Sequence, residues 1–472
     1  MRNSLYTGGI GCRLLLVSPA SVTIAVFAML TASAAAQTAT FRKLYDFQGS
    51  PDGKRPLAGV LVGTGGALFG TTGHGGTTNS GTVFQLSPPA QPGGTWTEAV
   101  LYSFFNAPDG AYPEAGVAFG PAGTPGPLFG TTAAGGTGTH SGGTVFELAP
   151  PATTGGPWTE SVLYSFPGSG GRNSPGTGTP EATPLIDSTG TIYGTTHGSC
   201  NSGDTYDPAI AFTLTPPTAP GGAWAESTIF NFVLTPQGFD GICPAAAMIS
   251  QGGSLLGTAY NGGVSRGGTV YELTPPSSPG GVWMGIAVHA FTDSSGDGAY
   301  PLGPLTAGAG GVLYGTTSSG GTSPLCLGSS TGRAGCGTVF QLTPPSSPGG
   351  SWTETVLYSF TAVNGDGAYP TGNIVLAANG SLYGTTQYGG GATSGSACSY
   401  NGITGCGTVF QLTPPTPPGG AWTETVLYSF SGSGGEGSIP NGLTAGPHSV
   451  LYGTTQTGGA KGAGIVFLVI PD

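Results

Sequence analysis

Charge is what this sequence has least of: Asp, Glu, Lys and Arg make up 7% of its 472 residues, against about a quarter in an ordinary soluble protein. Bases are the scarcer sign, with ten Lys and Arg against 21 Asp and Glu. Phosphate polymers and anionic membrane surfaces are held by clustered Lys and Arg, so this chain is no match for nucleic acid or an anionic bilayer. The Glu, Lys and Arg that line surface helices are thin throughout, which argues against long helices. Long apolar runs are also missing, apart from Leu14 to Leu30. That run is broken by Ser18, Pro19 and Ser21 and falls short of the roughly 20 residues a membrane helix needs. No C-x-x-C pair occurs, so the usual spacing of a structural zinc site is absent. No nucleophile with its base, paired-carboxylate site or His-rich metal motif stands out either.

What is present is glycine, proline and aromatics: Gly 92, Pro 41 and 10% Phe, Trp and Tyr. Such a composition suits short strands joined by turns. Residues 1–36 read as an export signal, with Arg2 and Arg13 around a mostly apolar stretch and Ala34-Ala35-Ala36 before Gln37. Cleavage there would leave residues 37–472 as one domain, with 21 acids, eight bases and a net charge of −13. It would also remove Cys12 and leave six cysteines, an even number suited to disulfides in an exported chain. Spacing suggests Cys326 with Cys336 and Cys398 with Cys406, which leaves Cys200 with Cys243.

A repeat runs the length of the chain. L-Y-G-T-T or a close variant occurs seven times, with its glycine at Gly70, Gly130, Gly194, Gly257, Gly315, Gly384 and Gly453. Each copy is followed by a Gly-rich stretch and a G-T-V-F-x-L run, then by a Pro-rich corner and a Trp-led run such as Trp352 to Phe360. All six tryptophans hold that one position. The seventh unit ends at Asp472 without its Trp-led run, whereas Phe41 to Phe47 carries the same L-Y-x-F ending ahead of the first unit. A strand missing at one end and supplied at the other is how a ring closes, while an open solenoid would need polar caps. Four strands in each of seven radial units predict an all-β, seven-bladed β-propeller. The blades fall at about 56–105, 113–167, 180–233, 244–292, 301–361, 370–431, and 440–472 completed by 38–47.

In that arrangement the loops between second and third strands share a face with the connections between blades, and this face is the candidate binding surface. Its loops vary: Ser318 to Cys336 and Gln387 to Cys406 are long, while His74 to Ser80 is short. The connections carry Asp52, Asp109, Asp240, Asp297, Asp366 and Glu436, each followed by Gly-x-x-Pro; the third blade has Gly176 to Pro180 instead. An Asp-Gly pair caps a turn. A ring of such carboxylates would also suit Ca²⁺, although no compact D-x-D-x-D loop is present. Tyr112, Tyr300 and Tyr369, from D-G-A-Y-P copies, offer apolar faces with polar tips for stacking on sugars, and also suit packing on the adjoining strand. Asp109, Tyr112, Asp297, Tyr300, Asp366 and Tyr369 are therefore the candidate binding residues.

L-Y-G-T-T, the Gly-Gly pair, G-T-V-F-x-L-T-P and W-T-E-x-V-L-Y-S-F together resemble the Gloeo/Verruco (GloVer) tandem repeat of exported bacterial proteins, over residues 38–472. The resemblance implies a secreted or surface repeat protein and supplies no catalytic residues. The expected role is a monomeric, non-enzymatic extracellular module that binds a glycan or a protein. An adhesive envelope component or a carbohydrate-active propeller are the alternatives.

Overall fold

The repeated L-[YF]-G-T-T and G-T-V-F-x-L segments, with their variants, form the middle strands of seven antiparallel sheets, six of four strands and the fourth of five, the blades of a β-propeller. The structure is a computed structural model that describes residues 39–472 except 92, 125, 139, 154, 169–177, 199–208, 220, 233–240, 245, 279, 293–295, 327–334, 348–349 and 392–397. The sixth blade shows the plan. Val375–Leu376 lies innermost, then Leu382–Thr386, then Thr408–Thr413, and Thr423–Ser429 forms the outer strand. Beyond strands, the described residues contain only 3-10 turns such as Thr64–Gly66.

The middle strands are buried on both faces because blades stack on one another. The motif glycine is forced by its cross-strand partner. Gly384 opposes Phe410, and a Cβ on Gly384 would lie 2.5 Å from the tip of that ring. The same Phe meets the Phe that ends the preceding blade's outer strand. All seven interfaces carry this edge-to-face pair, with Tyr271 in place of the Phe in the fourth blade, from Phe47–Phe84 through Phe360–Phe410 to Phe430–Phe467, with centroids 4.9–5.2 Å apart.

The two threonines have separate tasks. The second pairs its hydroxyl with that of the third strand's Thr, as in Thr386···Thr408 at 2.9 Å. The first reaches the next blade: Thr71 Oγ1 donates to the Ala115 carbonyl at 2.6 Å and Thr385 to that of Asn441 at 2.7 Å.

Closure follows the expected route. Thr40–Asp46 pairs antiparallel with Ile465–Ile470 as the outer strand of the seventh blade. It even reproduces the bulge of the other outer strands, which skips the Leu of L-Y-x-F: Leu44 here, Leu101 and Leu357 elsewhere. Thr454 Oγ1 then donates to the Ala58 carbonyl of the first blade at 2.6 Å. Four tryptophans brace the rim against the aromatic of the preceding blade's second strand: Trp96 on Tyr452, Trp158 on Phe69, Trp224 on Phe129 and Trp283 on Tyr193.

Two disulfides join Cys326 to Cys336 and Cys398 to Cys406, with Cα atoms 4.9 and 5.1 Å apart. Cys243 is buried and disulfide-bonded, while Cys200 lies outside the described residues. Disulfides of this kind belong to an oxidising compartment. Among the described residues no helix is long and apolar enough to cross a membrane.

Candidate functional site

The connections between blades and the loops between second and third strands meet on one face. Short ribbons join them: Gly110–Ala111 pairs with Ala134–Gly135, Gly298–Ala299 with Ser319–Gly320, and Gly367–Ala368 with Tyr388–Gly389. In every blade but the third, the backbone is left-handed at the residue before the proline that leads into the blade. Arg55, Tyr112, Cys243, Tyr300, Tyr369 and Ile439 all have φ between 56° and 63°. A side-chain-bearing residue ahead of proline is disfavoured there, at a cost of about 1–3 kcal/mol. Two backbone bonds hold it. Tyr112 N–H donates to the Ser80 carbonyl of one blade's loop, and its own carbonyl accepts from Ala133 N–H in the next blade's loop. Arg55, Tyr300 and Tyr369 make the same two bonds, so these four positions clip neighbouring loops together on this face.

The acidic residues of the connections are engaged by their own turns. Asp109 Oδ2 accepts from the Tyr102 hydroxyl and from Phe105 N–H, both at 3.0 Å, and Oδ1 accepts from Gly110 N–H at 2.6 Å. Asp366 repeats this with Tyr358, Thr361 and Gly367, and both carboxylates are 8% exposed. Asp297 accepts from the Thr292 amide and hydroxyl at 2.7 and 2.6 Å and from Gly298 N–H. Burial pushes its carboxyl up, but His289 and these donors outweigh burial and hold it below the usual range. Asp240 lies outside the described residues.

Beside each of four such acids sits a glutamate from the next blade's Trp-led strand. Burial, then the neighbouring aspartate, pushes Glu98 and Glu160 up to about 7 and Glu424 to about 8. Burial likewise lifts Glu354 to about 7, with Asp297 adding and His289 opposing. One oxygen of each of these glutamates is shut off from water without a hydrogen-bond partner.

Blades four to six bring five tyrosines together. Tyr260 stacks on Tyr300 at 4.7 Å and Tyr388 on Tyr400 at 4.9 Å, while Tyr369 meets both Tyr388 and Tyr400 edge-on. Tyr260 also lies within electrostatic reach of Tyr400, which together with burial and Tyr300 raises its hydroxyl pKa. Tyr400 rides on a small hairpin, Ser399–Tyr400 with Ile403–Thr404, closed by the Cys398–Cys406 bridge. The loops of the same three blades expose Val264, Leu325 and Tyr400. Across the ring Tyr112 stands 36% exposed, edge-on to His74 at 5.2 Å. On the axis, a cavity of 350 Å³ is lined by the inner strands of all seven blades and contains Glu114 and Glu181. Burial and Glu181 push the Glu114 carboxyl up, against the opposing effect of Arg55.

The profile of the Gloeobacter/Verrucomicrobia repeat matches residues 30–206 and 173–398. The chain belongs to this repeat family. No curated protein matches its sequence significantly. Among solved structures it resembles an ancestral GH74 enzyme, at 11% identity and a TM-score of 0.48, over 92% of this chain and 51% of that one. The chain thus spans about half the length of that enzyme. It also resembles the calcium structure of a Trichoderma reesei carbohydrate-active enzyme of family AA12, at 10% identity and 0.37, over 93% and 98%. The PQQ-bound aldose sugar dehydrogenase of Streptomyces coelicolor is similar at 16% and 0.39, over 79% and 96%. These likenesses concern the fold alone.

In this Gloeobacter/Verrucomicrobia repeat protein the candidate residues fall into two sets. Tyr300 and Tyr369 join one cluster, each only 6% exposed, whereas Tyr112 stands apart. Asp109, Asp297 and Asp366 lie in separate connections and turn toward the blade edge, next to the glutamates. Sequence reasoning singled out neither those glutamates nor Tyr260, Tyr388 and Tyr400. The glutamates had a signal, a fixed place after each Trp-Thr. The tyrosines had none, since their loops share no motif.

Proposed function

We propose that this chain is an exported, non-enzymatic module that binds a neutral glycan across the loop face of blades four to six. The observation that carries the reading is the tyrosine cluster, in which Tyr300 and Tyr369 underpin the more accessible Tyr260, Tyr388 and Tyr400. Stacked phenol rings held by packing present flat apolar surface at little entropic cost, and their hydroxyls bond to sugar hydroxyls. Val264 and Leu325 extend the apolar surface, and the bridge behind Tyr400 limits the freedom of its hairpin. A chain so poor in bases favours an uncharged polymer over a sulfated or uronic one.

Tyr112 and the acids at Asp109, Asp297 and Asp366 serve in this reading as blade connections, with Tyr112 a second contact for an extended chain. The test is titration calorimetry with neutral oligosaccharides on the purified protein. Tyr400→Ala, at a 37% exposed position, should weaken binding by about tenfold or more with the melting temperature unchanged. Turnover of a bound polysaccharide would overturn the non-enzymatic assignment. Capture of a protein and no glycan would replace the ligand.

A further inference from the structure

Four blade interfaces share one plan of side chains, and at one of them a single residue of the plan is replaced. The outer strand of one blade offers Tyr, the connection after it offers Asp, and the outer strand of the next blade offers Glu. Tyr45, Asp52 and Glu98 form one set, Tyr102, Asp109 and Glu160 a second, and Tyr358, Asp366 and Glu424 a third. In all three the tyrosine hydroxyl donates to the aspartate, at 3.0, 3.0 and 3.2 Å. In the fourth set, between blades four and five, the tyrosine is replaced by His289, beside Asp297 and Glu354.

The replacement changes the donor chemistry. His289 Nε2 stands 3.9 Å from Asp297 Oδ1, beyond hydrogen-bond range. Both Nε2 and Glu354 Oε1 are shielded from water and have no hydrogen-bond partner. One donor atom from each of His289, Asp297 and Glu354 falls within 4.8 Å of the other two. Among the described residues this is the one group of His, Cys, Asp and Glu that converges in this way. Thr292 fixes the other oxygen of Asp297 through its amide and hydroxyl, as outer partners of metal-binding carboxylates do. The side chains of His289 and Asp297 keep 20% and 15% exposure, enough for an ion and its waters to arrive.

We propose that His289, Asp297 and Glu354 bind one divalent transition-metal ion of the zinc class, with water completing its coordination. An imidazole among the donors selects Zn²⁺, Co²⁺ or Ni²⁺ over Ca²⁺, which takes six to eight oxygens. Ligand bonds of about 2.0–2.2 Å place donors roughly 3.3 Å apart, so the three side chains close by no more than about 1.5 Å, within rotamer adjustment. The three tyrosine sets serve as internal controls, because a neutral phenol bonded to its aspartate is a poor ligand.

The experiment compares the metal-stripped protein with His289→Tyr, which installs the residue the repeat itself uses at the other three interfaces and so preserves the fold. Zn²⁺ and Co²⁺ binding are followed by calorimetry and by visible absorption of the Co²⁺ form, with Ca²⁺ as a further arm. The expected result is one Zn²⁺ per chain, and a loss in His289→Tyr exceeding the roughly 10–100-fold caused by removing an outer partner. Equal stripped-state melting temperatures would confirm that the fold is intact. If that variant loses stability, His289→Gln supplies the same comparison without the tyrosine. Absence of Zn²⁺ and Co²⁺ binding, affinity unchanged in the variants, or a preference for Ca²⁺ would each overturn the proposal.

Discussion

Tyr271 stands where the other six blades have phenylalanine, at Phe84, Phe146, Phe212, Phe340, Phe410 and Phe467. It opposes Gly257 in the core of the fourth blade, and its hydroxyl is buried without a partner. A lone buried hydroxyl costs about 1–3 kcal/mol. Tyr271→Phe should therefore raise stability by about that amount in denaturant unfolding, with no other contact altered. The interface glutamates make a second residue-scale case, with a sign set by their raised pKa values. Glu424, facing Asp366 and Tyr358, titrates near 8 when folded and near 4.5 when unfolded. Between those values the folded state binds the extra proton, so the stability it confers is complete below about pH 4.5 and is lost as pH rises toward 8. Glu98, beside Asp52 and Tyr45, and Glu160, beside Asp109 and Tyr102, lose theirs by about pH 7. The melting temperature should fall from pH 5 to pH 8, and Glu98→Gln, Glu160→Gln and Glu424→Gln combined should flatten that slope by a few degrees. A slope unchanged in the triple variant would contradict the assignment.

At the scale of elements, the closing strand is decisive. Thr40–Asp46 supplies the bulge at Leu44 and the backbone ladder to Ile465–Ile470, and Phe47 directly after it supplies the contact with Phe84. Without it the last strand is a bare, uncharged edge. Deleting residues 37–47 should cause aggregation, read by light scattering; a truncated chain that stays in solution with unchanged melting temperature would show that closure does not depend on this strand. Ring, strand order and the face that carries the variable loops were legible in the sequence because each rests on motifs repeated at fixed register. L-Y-G-T-T counts the blades, and the displaced L-Y-x-F of Leu44 to Phe47 marks the seam. What was illegible depends on contacts between blades. Nothing adjacent to Glu98 announces Asp52 as its neighbour, and only the ring brings Tyr260, in one loop, beside Tyr300 and Tyr400 in others. The same limit separates Tyr300 and Tyr369 from Tyr112: one tetrapeptide, D-G-A-Y, is covered by aromatic neighbours in two blades and left open in a third.

For the whole molecule, seven blades of one plan form the frame, and the largest differences between them lie in the loops on one face. The same frame supports a sector of aromatic surface between blades four and six and, at the rim between blades four and five, the altered interface of His289. Propellers of this kind place function in what the repeats do not share. Binding of a neutral glycan by the tyrosine sector is decided by a melting scan of residues 37–472 with a panel of neutral and anionic polysaccharides. A ligand of the folded state adds about 2.7 kcal/mol at a hundredfold excess over its dissociation constant. A rise with one neutral class is expected, abolished both in Tyr388→Ala and in Tyr400→Ala. No rise with any polysaccharide, or a rise that survives both substitutions, would contradict it.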